Sequence, residues 1–290
     1  INGAGAEATH IWDSKTTLRE AYATLMEQYR LLFEIGAQNR ARGYEPMTFK
    51  AMMNEHRSIR EYDDRPVSDD TLRQILESAQ HAASSSFIQA TAIVRVANAD
   101  TRADISEVAG GQRWVREAPI FLVWCADMTR IEAASLKADA GELDGWTEHF
   151  IAATVDVALV AQNALLAAES LGLGGVYIGG IRNNPARVCE LLELPRLVYP
   201  VFGMCLGYPA QDPGIKPRMP LDAMLHQERF DASRATQIVD AYDAQMADYY
   251  ASRGSNVRQS NWSAQTTNAV QGKRREHMLG FLQEQGYLKK

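Results

Sequence analysis

The chain has 290 residues, 46% hydrophobic and 23% charged, enough for a sizeable core in one large domain or two small ones. Its net charge of -6 argues against general nucleic-acid or anionic-membrane binding, which needs a broad basic face. Basic clusters in such a chain are local exceptions and therefore informative.

Residues 1–12 are rich in Gly and Ala and read as loose chain. Asp13-Ser14 can cap a helix running to about residue 39, with Leu18, Tyr22, Leu25, Tyr29, Leu32 and Phe33 at i, i+3/i+4 spacing. A short helix then leads into His56. Asp63-Asp64-Arg65-Pro66 is a turn, and Ser68-Asp69-Asp70 caps a helix over 71–82. Ser84-Ser85-Ser86 breaks that helix. A strand over 92–96, a helix over 101–108 and the turn Gly110-Gly111-Gln112 follow. The continuous apolar run 120–125 predicts a central buried strand, and 128–145 a polar helical excursion. The long apolar stretch 148–171 contains Asp156, Gln162 and Asn163, so it reads as a core helix and not a membrane span; Gly172 stops it. A strand over 175–178 ends in Gly179-Gly180. Asn184 and Pro185 open a helix over 186–192, as N-cap and first helical residue. A strand covers 198–206, a proline-rich irregular arm 209–220, a helix 236–252, and a last helix 273–285. This alternation predicts an α/β or α+β sandwich.

Several segments carry chemistry. His56-Arg57-Ser58-Ile59-Arg60 packs two guanidinium groups, an imidazole and a hydroxyl into one turn, an anion pocket in miniature. Lys216-Pro217-Arg218 holds two cations on a backbone stiffened by proline, and can share one phosphate with the first turn. Gly179-Gly180 lets a flat ligand approach the backbone at a strand end. Gly172 to Gly175 read instead as tight helix–strand packing. Ser84-Ser85-Ser86-Phe87 offers hydroxyls and an aromatic wall, and the Gln112 amide can pair with a pyrimidine-like edge. The loop from Arg253 to Arg258 suits a second phosphate such as the 2′-phosphate of NADP. Taken singly, each segment is equally a surface turn, a helix stop or a packing glycine. No nucleophile–base pair, no metal-ligand spacing and no leader segment is legible. Phosphate and flat-ring features without acid–base machinery point to a cofactor that carries the reaction. Cys125, Cys189 and Cys205 form no C-x-x-C pair and read as reduced core thiols of a reducing, cytoplasmic compartment.

Taken in chain order, these segments and the run Ala161-Gln162-Asn163-Ala164-Leu165 through Gly175-Val176-Tyr177-Ile178-Gly179-Gly180-Ile181-Arg182-Asn183-Asn184 closely resemble the oxygen-insensitive NADPH nitroreductase/flavin reductase family, in its major bacterial nitroreductase A group. The resemblance covers about residues 52–290; residues 1–50 are a helical extension without a counterpart in it. It implies an α+β fold, a three-layer α/β/α sandwich around a mixed, mainly antiparallel sheet, in a homodimer. It implies FMN held by His56, Arg57, Ser58, Ile59, Arg60, Gln112, Tyr177, Ile178, Gly179, Gly180, Lys216, Pro217 and Arg218, with Ser84, Ser85 and Ser86 supplied by the neighbouring subunit. Arg253 and Arg258 are expected to favour NADPH over NADH, while Phe87 and Arg275 meet NADPH or substrate. The implied activity is ping-pong hydride transfer from NADPH to nitroaromatics, quinones or free flavin, with no catalytic side chain required. A non-catalytic FMN-storing or sensing protein is the alternative.

Overall fold

The structure, a computed structural model, describes residues 49–253, 259–272 and 274–290. The helix expected up to residue 39, the loop 254–256 and Arg258 lie outside the described residues. The chain divides into two units, residues 1–54 and 55–290. In the first, the described part is helix α1 (Phe49–Asn54). Everything that follows belongs to the second.

The apolar run of the sequence becomes strand β2 (Ile120–Asp127), buried at every position. It lies inside a sheet that also contains β1 (Thr91–Arg95), β3 (Gly174–Ile178) and β4 (Val198–Gly207), in the order β1-β2-β4-β3. All three ladders are antiparallel. A continuous apolar strand arises here because both faces of the sheet are covered. Ile120, Leu122, Trp124 and Ala126 join one core, while Phe121, Val123 and Cys125 join another, which is the two-residue alternation of a strand. The β2–β4 register shifts between Trp124 and Cys125, where Cys125 faces Pro200. A proline has no N–H for the ladder, and an irregularity at this point accommodates it.

One face is covered by α2 (Asp69–Ala79) and α6 (Thr147–Ser170), through Leu72, Ile75 and Ala79 and through Ala153, Val157, Ala161, Ala164, Leu165 and Ala168. The opposite face is covered by α3 (Ala99–Val108), the short α4 (Trp114–Glu117) and α7 (Pro185–Leu192), through Ile105, Val115 and Val188. The result is the expected helix–sheet–helix sandwich. Helix α5 (Thr129–Lys137) follows β2. Helix α6 is long and apolar enough to span a membrane by length and composition, yet its alanine face lies on the sheet. Its buried Asp156 is satisfied by the Ser84 hydroxyl at 2.6 Å and by the N–H groups of Ser85 and Ala90 at 3.2 and 3.1 Å. The predicted caps form: the Ser68 hydroxyl accepts from Thr71 N–H, and Asn184 accepts from Arg187 N–H ahead of Pro185.

The C-terminal part departs from the sequence reading. Helix α8 (Ala235–Ser252) matches, but the helix expected over 273–285 is shortened to α10 (Met278–Glu284), and a helix the sequence did not announce, α9 (Trp262–Gly272), precedes it. Arg275 takes a φ of 44°, left-handed backbone that ends any helix started in the basic run. Helix α9 has no apolar stripe to announce it. It is started by Asn261, whose Oδ1 accepts from Ala264 N–H at 2.9 Å, and held by Trp262 against Tyr242 of α8. Tyr242, Met246 and Tyr250 form a small satellite core there.

Candidate functional site

The anion turn is anchored by its one apolar residue. Ile59 is buried, and its N–H donates to Gly175 O of β3 at 3.0 Å. A Cβ at Gly174 would collide with the Ile59 side chain, so glycine is what lets the turn lie flat along β3. The Ile59 carbonyl accepts from the Tyr62 hydroxyl at 2.8 Å, and burial drives that phenol strongly towards its neutral form. Ile59 therefore anchors the turn, with its N–H and its carbonyl both engaged within the protein. Alternate residues Ser58 and Arg60 then face away from the core. His56 Nδ1 lies 2.6 Å from Glu169 Oε1 and ties the turn to the end of α6.

These residues open onto a cavity of about 430 Å³, lined by His56, Arg57, Ser58, Arg60, Pro213, Gly214, Lys216, Arg218, Tyr249, Tyr250, Arg253 and Gln265. The turn at 56–60 and the arm at 216–218, far apart in sequence, thus share one wall. Arg57 Nε sits 2.8 Å from Asp212 Oδ1. Arg60, Lys216, Arg218 and Arg253 have no carboxylate partner among the described residues. Three of them rest on aromatic faces instead. Arg60 lies over Trp114 at 5.7 Å, Lys216 over Tyr250 at 5.6 Å and Arg253 over Tyr249 at 5.6 Å. Pro217 serves the arm through its carbonyl, which accepts from the Tyr242 hydroxyl at 2.7 Å. Unneutralised cations facing one cavity are a standing demand for a polyanion.

A second group gathers at the end of β3. A Cβ on Gly180 would lie 2.6 Å from Ala109 O and 2.7 Å from Gln112 Nε2. The missing side chain makes room for the carboxyl end of α3, a packing role beside the ligand approach read from the sequence. Gln112 Nε2 donates to Ala109 O at 2.8 Å, so part of its amide is engaged within the protein. Arg275 Nη2 donates to Gly179 O at 3.1 Å and to Asn183 Oδ1 at 3.0 Å. Beside it, the Arg182 guanidinium donates to Val201 O, and burial, with the Arg275 charge second, lowers its pKa. Tyr177 packs edge-on to Phe202, and burial raises its phenol pKa. Ile178 is fully buried in the core.

The serine turn does not line the cavity. The Ser84 hydroxyl is committed to Asp156 and also accepts from Gln89 N–H at 2.7 Å, a structural duty the sequence did not reveal. Ser86, Phe87 and Gln89 have φ of 49°, 57° and 50°, and Phe87 is 78% exposed. Such backbone costs about 1–3 kcal/mol per residue and persists where surroundings impose it. The three thiols are free and buried; burial pushes Cys189 and Cys205 up to about 12, which leaves them inert. Sequence reasoning missed Tyr249, Tyr250 and Gln265 in the cavity wall. Two of these sit in α8 as ordinary packing tyrosines, and the third sits in a helix without a periodic signal.

The chain is similar to known proteins along most of its length. The Nitroreductase family matches residues 53–208, and the Nitroreductase family C-terminal domain matches residues 216–290. The chain is 42% identical over 232 residues to an oxygen-insensitive NADPH nitroreductase of Salmonella typhimurium, covering 80% of this chain and 95% of that protein. It is 42% identical over 235 residues to an NADPH-flavin oxidoreductase of Vibrio harveyi, covering 81% and 96%. The crystal structure of an NADPH:FMN oxidoreductase from Vibrio harveyi complexed with NAD+ superposes with a TM-score of 0.75 at 37% identity, covering 83% of this chain and 99% of that one.

Proposed function

The chain belongs to the nitroreductase family, and from that premise we propose that it is an FMN-dependent oxidoreductase that draws electrons from NADPH. The observation that carries this reading is the convergence of Arg57 and Arg60 with Lys216 and Arg218 on one cavity. The donor set fits FMN: a phosphate dianion needs several cations and hydroxyl or backbone donors, and among the described residues Arg60, Lys216 and Arg218 have no carboxylate that would compete. Ser58 adds a hydroxyl. Each charge-assisted bond contributes about 1.5–3 kcal/mol. Gln112, Tyr177, Gly179 and Gly180 are proposed to meet the ring.

When bound, FMN supplies hydride transfer between NADPH and an acceptor. The protein's own residues bind and orient. Arg253 and Arg258 are assigned to the NADPH 2′-phosphate, and Phe87 and Arg275 to the open side where nicotinamide and acceptor bind in turn. Cationic side chains there offset negative charge gathering on nitro or quinone oxygens. Acceptors of this class, including free flavin, are proposed as substrates.

The same reading includes a homodimer. Helix α6 keeps Ile151, Val155 and Leu159 exposed at 49%, 48% and 42%, a stripe at i, i+4, i+8 that water does not favour. Ser85, Ser86 and Phe87 are proposed to reach the partner's flavin. Residues 51–290 are proposed as the flavin-binding domain and 1–50 as an extension. The buried thiols fit a reducing, cytoplasmic setting.

The test is direct. Purified protein should be yellow and should oxidise NADPH with a quinone. Lys216→Ala should lose the colour on dialysis under conditions where the parent keeps it. A colourless preparation that takes up no added FMN would refute the proposal.

A further inference from the structure

Gln265 stands in the cavity wall on α9, outside the sequence motifs. Its amide is oriented by the protein. The Tyr250 hydroxyl donates to Gln265 Oε1 at 3.0 Å, so the carbonyl end of the carboxamide faces the tyrosine. The other end, Nε2, is buried and makes no hydrogen bond in the described structure. A buried N–H without an acceptor costs about 1–3 kcal/mol, a cost that a ligand oxygen would relieve. Its surroundings name the use. Tyr250 also lies beneath Lys216, and Arg253 rests on neighbouring Tyr249. The unspent donor therefore belongs to a side chain that lines the same cavity as Lys216 and Arg253, two cations without carboxylate partners among the described residues.

We propose that Gln265 is a phosphate-recognising residue of this site, with the Tyr250 hydroxyl as its positioning group. The ligand class is a phosphate monoester. The inference rests on the reading of the cavity as the nucleotide site. Two groups of that chemistry are on offer there, the 5′-phosphate of FMN and the 2′-phosphate of NADPH. A neutral donor adds direction to a site whose cations supply charge: an amide N–H is satisfied by a phosphate oxygen at a fixed position, whereas a lysine ammonium tolerates many.

The experiment measures binding, not turnover. Gln265→Leu removes the donors at similar volume; Gln265→Glu keeps an acceptor for Tyr250 and turns the donor end into an anion. FMN affinity is read from quenching of flavin fluorescence on titration into flavin-free protein. Affinity for adenosine 2′-monophosphate is read by calorimetry on the flavin-loaded protein, with adenosine as the control. Loss of a hydrogen bond to a charged group predicts weakening by about 10-fold or more in Gln265→Leu, and more in Gln265→Glu. Weaker FMN binding alone assigns the donor to the flavin phosphate. Weaker adenosine 2′-monophosphate binding alone assigns it to NADPH. Both affinities staying within twofold of the parent in both variants would overturn the inference and leave the function reading standing. Failure of the parent itself to bind FMN would sink both.

Discussion

Arg253 shows how a single residue changes meaning once its neighbours are known. In sequence it opens a basic loop; in the structure it leans on Tyr249 and faces the same cavity as Arg60, Lys216 and Arg218. A guanidinium held on an aromatic face keeps its fork of donors for a ligand. Arg253→Ala is expected to raise KM for NADPH by about 10-fold or more while leaving KM for NADH within a factor of two, because only NADPH carries the 2′-phosphate. Steady-state assays with one quinone and both nucleotides check this. Equal rises for the two nucleotides would show that Arg253 does not read that phosphate. The cationic residues of the motifs were legible because charge clusters stand out in an acidic chain. Gln265 was not, since an isolated amide in a Thr- and Asn-containing helix carries no pattern.

At the scale of elements, the site depends on close approaches that only glycine permits. Gly180 places the end of β3 against the last carbonyls of α3, and the group a Cβ would strike first is backbone, which has little room to move. Gly180→Ala is expected to cost about 1–3 kcal/mol and to push Gln112 out of place. Gly280, inside α10, makes the contrast. No atom lies within 4 Å of its virtual Cβ and its φ is ordinary, so Gly280→Ala is expected to stabilise by about 0.5–1 kcal/mol. Urea unfolding of both variants separates the two cases; stabilisation by both would show that α3 yields freely to β3. The strands and the capped helices α2 and α7 were readable from local signals. Helix α9 was not, because its start is a single Asn261 cap and its stability comes from Trp262 on Tyr242. The break before α10 was hidden as well, since nothing about a Lys-Arg-Arg run forbids a helix until Arg275 is drawn towards Gly179 and Asn183.

At the scale of the whole molecule, one helix serves two surfaces. The alanine face of α6 packs on the sheet, while Ile151, Val155 and Leu159 face outward. A second copy of the chain is the proposed cover, and it would carry Ser85, Ser86 and Phe87 to the partner's site. Val155→Glu places a charge in the middle of that stripe. It is expected to shift the protein from dimer to monomer in light scattering after size-exclusion chromatography, and to weaken FMN retention with it. A dimer of unchanged stability would move the interface elsewhere. The buried Asp156 gives the same helix a third task, holding the strained serine turn in shape through Ser84, Ser85 and Ala90.

The linear chain determined which chemistry is available: its phosphate-seeking cations, its glycine-ended strand, its apolar central strand and its long core helix all follow from local composition and spacing. Tertiary structure alone decided how these are used. Whether a cation is neutralised, whether a glycine's open space serves a ligand or a helix end, and whether a hydroxyl is free or bound to Asp156 all depend on groups distant in sequence. Hydrogen bonds and steric contacts act over a few ångströms, and the partners at that range are chosen by the packing of the sheet and its helices.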